Sequence, residues 1–207
     1  MIKNDEELTA KEANTMKMIT AITDATANLA ITKTGALMVI ERETKLGDIV
    51  GTGTVVDAEA SSSIIRNLFY PKAPLHDGAV IFSNYRVRAA GCFLPLSTRD
   101  IGKDLGTRHH AALGMSEVSD AVVVVVSEET GIISVAVGGN LQRRITPDAL
   151  TSILRKYLLP QEEKKDFTVK DFIRKEILKK GDNSADKKVA ADVSSPANTD
   201  KKGDVNK

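Results

Sequence analysis

The chain has no tryptophan and only one cysteine, Cys92, among its 207 residues. A single thiol excludes an intrachain disulfide and a multi-cysteine metal site, which fits a reducing interior. Cys92 lies between Gly91 and Phe93 with no neighbour in sequence to activate it, so a small core residue is expected. Charge of one sign is not in excess either. Twenty-nine Lys and Arg face 28 Asp and Glu, for a net charge of +1. That balance offers no polyanion-binding surface, and no nucleic acid is expected as a partner. Long hydrophobic runs are missing: the longest, Ala121–Val126, has the length of a strand and not of a membrane span. Met1–Leu8 is acidic and lacks the apolar stretch of a signal peptide. The chain as given is therefore expected to be soluble and cytoplasmic. No Walker A lysine motif and no GxGxxG fingerprint occurs.

What is present is ordinary in bulk: 42% hydrophobic and 28% charged residues, enough for one core with appendages. Glu6–Ile31 has no Gly or Pro, and Leu8, Met16, Ile19, Ile22 and Leu29 fall roughly on one stripe, which predicts an amphipathic helix. Gly35–Ile40 predicts a buried strand, Glu41–Asp48 a charged loop and Ile49–Val56 a second strand. Ser61–Leu68 predicts a short helix with serine caps. Gly78–Phe82 and Val87–Leu94, joined through Ser83-Asn84-Tyr85, predict a hairpin. Thr107–Val118 predicts a helix opened at Gly106, and Ala121–Ser127 a strand buried on both faces. Ile132–Val137 predicts another strand. Thr146-Pro147 starts a helix running to about Leu158, with Thr as cap and Pro at the first helical position. Asp166–Lys180 predicts a last amphipathic helix. Gly181–Lys207 has no Leu, Ile or aromatic residue and five Lys against five Asp, so a disordered tail is expected. The fold class expected is α/β, a single domain with a central mixed β-sheet flanked by helices.

All three histidines fall in two short motifs. His76 lies in Pro74-Leu75-His76-Asp77-Gly78-Ala79, just before an apolar strand. An imidazole beside a carboxylate can ligate a divalent cation, and Gly78 permits close approach to the backbone. An isolated Asp-Gly is more often just a turn. His109 and His110 lie in Gly106-Thr107-Arg108-His109-His110-Ala111, at a predicted helix N-terminus. Unsatisfied N–H groups there favour an anion, Thr107 adds a hydroxyl, and Arg108 adds a planar fork suited to phosphate. An ordinary cap with surface charges is the plainer alternative. Ser127-Glu128-Glu129 ends the valine strand, where one carboxylate could reach a metal and another could simply face solvent. Phe93-Leu94-Pro95-Leu96 offers an apolar wall for a base, or simply core.

Together these motifs resemble the diadenylate cyclase domain family. Asp77-Gly78-Ala79 and Thr107-Arg108-His109 are similar to its two signature motifs, in order and at fitting separation. Phe93-Leu94-Pro95-Leu96-Ser97 and Val126-Ser127-Glu128-Glu129-Thr130-Gly131 are similar to two further blocks. The resemblance runs from about Gly35 to Leu154 and looks closest to the membrane-associated cyclase of Gram-positive bacteria. It divides the chain into an N-terminal helix (1–33), a catalytic domain (34–160), a C-terminal helix (161–180) and a tail (181–207).

The resemblance implies condensation of two ATP into cyclic di-AMP, with Mn²⁺ or Mg²⁺, Co²⁺ also serving. Asp77, Arg108 and His109 would be catalytic. His76, Asp77 and Glu129 would hold metal. Gly78, Ala79, Phe93, Leu94, Gly106, Thr107, His110, Ala111, Ser127 and Glu128 would complete the ATP site with Arg108 and His109. A two-fold symmetric product implies a homodimer with two half-sites face to face. For the membrane-associated subclass the resemblance adds anchoring at the cytoplasmic face of the membrane, a membrane-anchored regulator and a phosphoglucosamine mutase. One departure stands out: the family usually carries Arg where this chain has His110. A catalytically silent sensor of ATP or a cyclic dinucleotide is the alternative, but His76, Asp77, Arg108, His109 and Glu129 are all retained.

Overall fold

Five consecutive valines, Val122–Val126, leave a strand no polar face to turn to water, so it must lie inside a sheet covered on both sides. In the computed structural model this strand (β5) is central and wholly buried. The structure describes residues 2–102 and 105–160, with side chains from residue 7 onward. β5 pairs antiparallel with Ala36–Ile40 (β1) on one side and with Ile133–Val137 (β6) on the other. β1 pairs parallel with Ala79–Ser83 (β3), which forms a hairpin with Arg86–Cys92 (β4). Thr54–Glu59 (β2) and Asn140–Arg143 (β7) are the edges, giving a seven-stranded mixed sheet in the order β2-β4-β3-β1-β5-β6-β7.

Alternation along the strands sends side chains into two separate cores. Met38, Ile40, Val80, Phe82, Val122 and Val124 face the helices Ile2–Ile31 (α1), Ser62–Leu68 (α3) and Pro147–Leu158 (α5). Ile19 and Ile22 of α1 and Leu150 and Leu154 of α5 are fully buried there. Truncating such an isoleucine to alanine costs about 2–5 kcal/mol. Leu8, by contrast, is 48% exposed, so the predicted stripe packs only from its middle onward. On the opposite face Leu37, Val39, Ile81, Val123 and Val125 meet Thr107–Val118 (α4). α4 presents Ala111 and Ala112 to this layer, small residues that let it lie close.

The helix starts follow local chemistry. Ser61 Oγ accepts from Ile64 N at 3.3 Å, and Thr146 Oγ1 accepts from Ala149 N at 3.2 Å ahead of Pro147. Asn84 and Tyr85 turn the β3–β4 hairpin with φ of 50° and 65°, the twist that a two-residue hairpin loop requires.

Two local expectations change. Ile49 and Val50 belong to a short helix, Gly47–Val50 (α2), and the strand expected at Ile49–Val56 begins only at Thr54. Gly51-Thr52-Gly53 interrupts the run: Gly51 N and Thr52 N close back on Gly47 and Ile49. β7 was not anticipated, because Asn-Leu-Gln-Arg carries too few apolar residues to signal a strand; its pairing with β6 is what defines it. The helix expected at 161–180 and the tail at 181–207 lie outside the described residues. No described helix is long and apolar enough to cross a membrane.

Candidate active site

The sheet's topology gathers the site at one edge. β1 and β3 run parallel and start at that edge, while β4 and β5 run against them and end there. The loops preceding β3 and following β4 and β5 therefore converge, and α4 begins beside them. Together they enclose a cavity of about 580 Å³, within the range of small-molecule sites.

α4 supplies one wall. Its N-cap, Gly106, is extended (φ −80°, ψ −178°) and makes no side-chain cap. Gly106, Thr107 and Arg108 line the cavity at this helix start with no side chain capping their amides, the arrangement that suits an anion. Thr107, Arg108 and His109 follow and all line the cavity. Arg108 Nη1 donates to Glu128 Oε2 at 2.6 Å. His109 is only 4% exposed, its Nε2 3.4 Å from Ser134 Oγ on β6, so its ring is held between helix and sheet.

A second wall is apolar. Phe93 and Leu96 line the cavity but remain 71% and 57% exposed, with Leu94 between them. The amide of Phe93 donates to Thr52 Oγ1 at 3.0 Å, which ties the start of this wall to the segment between α2 and β2. Asp77 and Gly78 also line the cavity. Gly78 has φ +120°, and a Cβ there would lie 2.7 Å from Gly91 C and 2.9 Å from Cys92 O. Its glycine is demanded first by the backbone of β4 pressing on it. Cys92 lines the cavity but is 1% exposed, and burial pushes its thiol up to about 11. It is a packing residue and not a nucleophile at neutral pH.

Most residues singled out in the sequence line this one cavity. Asp77, Gly78, Phe93 and Leu94 come from the loops around β3 and β4. Gly106, Thr107, Arg108, His109 and Ala111 come from α4, and Ser127, Glu128 and Glu129 from the end of β5. Three do not line it. Ala79 is fully buried in the core beneath. His76 turns its Nδ1 to the Ala73 carbonyl at 2.6 Å. His110 turns its Nδ1 to the Ser97 carbonyl at 3.1 Å. Among the described residues no three His, Cys, Asp or Glu side chains gather as a metal site, so His76, Asp77 and Glu129 do not form a closed ligand set within one chain.

Sequence reasoning missed Leu37 and Val126 as lining residues, Thr52 as the support of Phe93, and Gly35 as the space beside Arg108 and Glu128. Gly35 stands before β1 with no motif around it. A Cβ on Gly35 would lie 2.7 Å from Arg108 Nη1, a proximity visible only in three dimensions.

A phosphate-ready helix terminus, an apolar wall and carboxylates at one sheet edge are the parts of an α/β nucleotide-binding domain. Residues 23–141 match the family described as DisA bacterial checkpoint controller nucleotide-binding, the DAC family, and this chain belongs to it. It is 49% identical over 147 residues to the cyclic di-AMP synthase CdaA of Bacillus subtilis (strain 168), covering 70% of this chain and 54% of that one. It is 44% identical over 149 residues to a diadenylate cyclase of Listeria monocytogenes serotype 1/2a (strain 10403S), covering 72% and 55%. The chain thus spans about half the length of the curated relatives it matches. The crystal structure of a double mutant of DacA from Staphylococcus aureus superposes with a TM-score of 0.68 at 43% identity, covering 70% of this chain and 97% of that one.

Proposed function

We propose that this chain is a diadenylate cyclase that joins two ATP into cyclic di-AMP and releases two pyrophosphates. The observation that carries the reading is the single cavity in which Asp77, the α4 N-terminus with Arg108, and the Phe93–Leu94 wall face one another. Its membership of a family whose relatives bear the name diadenylate cyclase supports it.

In this reading 34–160 is the catalytic domain and 1–33 the helix that leads into it. Each ribose 3′-oxygen attacks the α-phosphorus of the other ATP. One P–O bond forms and the bond to the pyrophosphate leaving group breaks, twice per product. Asp77 takes the 3′-hydroxyl proton. Arg108, His109 and the first amides of α4, with Thr107 and Ser127, hold the triphosphate and the charge that develops on pyrophosphate. Phe93 and Leu94 pack on adenine, with Gly78 against the nucleotide.

The oxygen donors Asp77 and Glu129 both face the cavity and suit Mn²⁺ or Mg²⁺, which commonly take one or two carboxylates and complete their shell with substrate phosphates. His76, next in sequence to Asp77, would be a third donor through Nε2, with its Nδ1–H held by the Ala73 carbonyl. The cation supplies charge that eases loss of the 3′ proton and offsets the phosphates.

Two ATP must meet in line, so the working unit is a homodimer with cavities facing. The exposed Phe93 and Leu96 on the cavity rim support such a face. Attachment to the cytoplasmic side of a membrane, a membrane-anchored regulator and a phosphoglucosamine mutase partner complete the proposal on resemblance to the membrane-associated subclass alone.

The test is incubation of the purified chain with ATP and Mn²⁺, followed by chromatography with mass identification. Cyclic di-AMP should appear, at a rate rising more steeply than linearly with protein concentration. ATP retained on the protein but unconverted would replace this reading with that of a silent sensor.

A further inference from the structure

The apolar wall of the cavity is free on its inner side but fastened at its end by one stripe of α4. Ser97, only 6% exposed, is the fastening point. Its amide donates to the His110 carbonyl at 3.0 Å, and its own carbonyl lies 3.1 Å from His110 Nδ1. The carbonyl can only accept, so the ring presents Nδ1–H to it. The Ser97 hydroxyl donates to Glu117 Oε1 at 2.9 Å and accepts from Arg99 N at 3.2 Å. Arg99 Nη1 reaches Glu117 Oε1 at 3.5 Å and donates to the Gly139 carbonyl at 2.6 Å.

Between these anchors the loop lies directly on the helix backbone. A Cβ on Gly114 would run into the Pro95 carbonyl and lie 2.6 Å from Ser97 N. Positions 110, 114 and 117 follow the i, i+4, i+7 spacing of one helical face. Nothing else about α4 requires Gly114: a glycine inside a helix costs about 1 kcal/mol relative to alanine.

We infer that His110, Gly114 and Glu117 are positioning residues that join the base wall to the phosphate-holding helix as one rigid unit. The inference rests on the ATP reading proposed above. The front of α4, Thr107–His109, would hold the triphosphate. Its outer stripe sets where Phe93 and Leu94 stand relative to that grip. The distance from phosphates to base is then fixed through α4 and not by a free loop. His110 acts through Ser97 and not on the triphosphate.

The test uses the full chain. Glu117→Ala removes an acceptor from Ser97 and should raise KM for ATP about fivefold, the effect of one hydrogen bond, with kcat changed less than about twofold. Glu117→Gln keeps an acceptor and should recover most of the loss. Gly114→Ala should raise KM at least as much as Glu117→Ala. Calorimetry separates the two ends of the nucleotide: in each variant the Kd for ATP should rise while the Kd for inorganic tripolyphosphate stays at the wild-type value. Unchanged ATP affinity in both Glu117→Ala and Gly114→Ala would overturn the inference. So would ATP and tripolyphosphate weakening together, since α4 as a whole would then be disturbed. Should the wild type bind ATP yet make no cyclic di-AMP, the cyclase reading falls, and the two sets of Kd values still decide the positioning role.

Discussion

Arg108 Nη1 and Glu128 Oε2 stand 2.6 Å apart at the mouth of the cavity, and Gly35 leaves the room for them to do so. Glu128 is 62% exposed and Arg108 24%, so the pair adds little to stability. Its effect is geometric. Glu128 takes one donor of the guanidinium, and in the proposed reading the rest of the fork would serve phosphate.

Gly35→Ala should therefore fold but turn over poorly. A Cβ 2.7 Å from Arg108 Nη1 and 2.9 Å from Glu128 Oε2 meets only the ends of flexible side chains, so the sheet can stay as it is while the guanidinium moves. A displacement of that kind should lower the rate of cyclic di-AMP formation roughly tenfold or more. Circular dichroism should match the wild type. A variant as active as the wild type would show that Arg108 needs no fixed placement.

Gly78→Ala should fail for a different reason. The φ of +120° excludes a side chain, and the Cβ would strike backbone atoms of Gly91 and Cys92, which cannot swing away. A loss of about 2–4 kcal/mol of stability is expected in urea unfolding. A variant with normal stability and lost activity would mean that the nucleotide, and not β4, sets the need for glycine.

Asp77→Asn should keep the fold and reduce synthesis at least about hundredfold, the usual scale of a lost proton acceptor. Product formation and unfolding are measured on the same preparation. Retained turnover would remove Asp77 from the mechanism.

Cys92 should resist labelling in the native protein. With its thiol pushed up to about 11, about one molecule in a thousand carries thiolate at pH 8, and that one is buried. Iodoacetamide should react quickly only after unfolding. The raised value also sets a sign. Native stability from this group is full below the unfolded value of 9.0 and falls as pH rises toward about 11, because the unfolded chain releases the proton first. Fast native labelling at pH 8 would contradict the burial.

Much of the fold is legible in the sequence where one local rule suffices. The valine run could only be central, Thr146-Pro147 could only start a helix, and the interval from Thr107 to Val118 carries its own limits. Ile49 and Val50 misled because a short apolar run fits strand and helix equally, and the glycines on either side of Thr52 broke it. β7 was invisible because an edge strand half in water needs little apolar content. In the site, Asp77, the α4 start and Ser127–Glu129 were legible as polar residues at element ends. His76 and His110 are legible by residue type; that each gives Nδ1 to a loop carbonyl is decided by the loops packed beside them.

The sequence by itself determined the class of fold, the order of its elements and the family, because periodicity, caps and contiguous motifs are local properties of the chain. Tertiary structure alone decided which segments meet. Only the single parallel pair β1·β3 within an otherwise antiparallel sheet brings Asp77, Phe93 and Glu129 to one edge. Only packing shows that Gly35, Gly78 and Gly114 are glycines because another segment lies against each. Such contacts join residues far apart in the chain, where no spacing rule reaches.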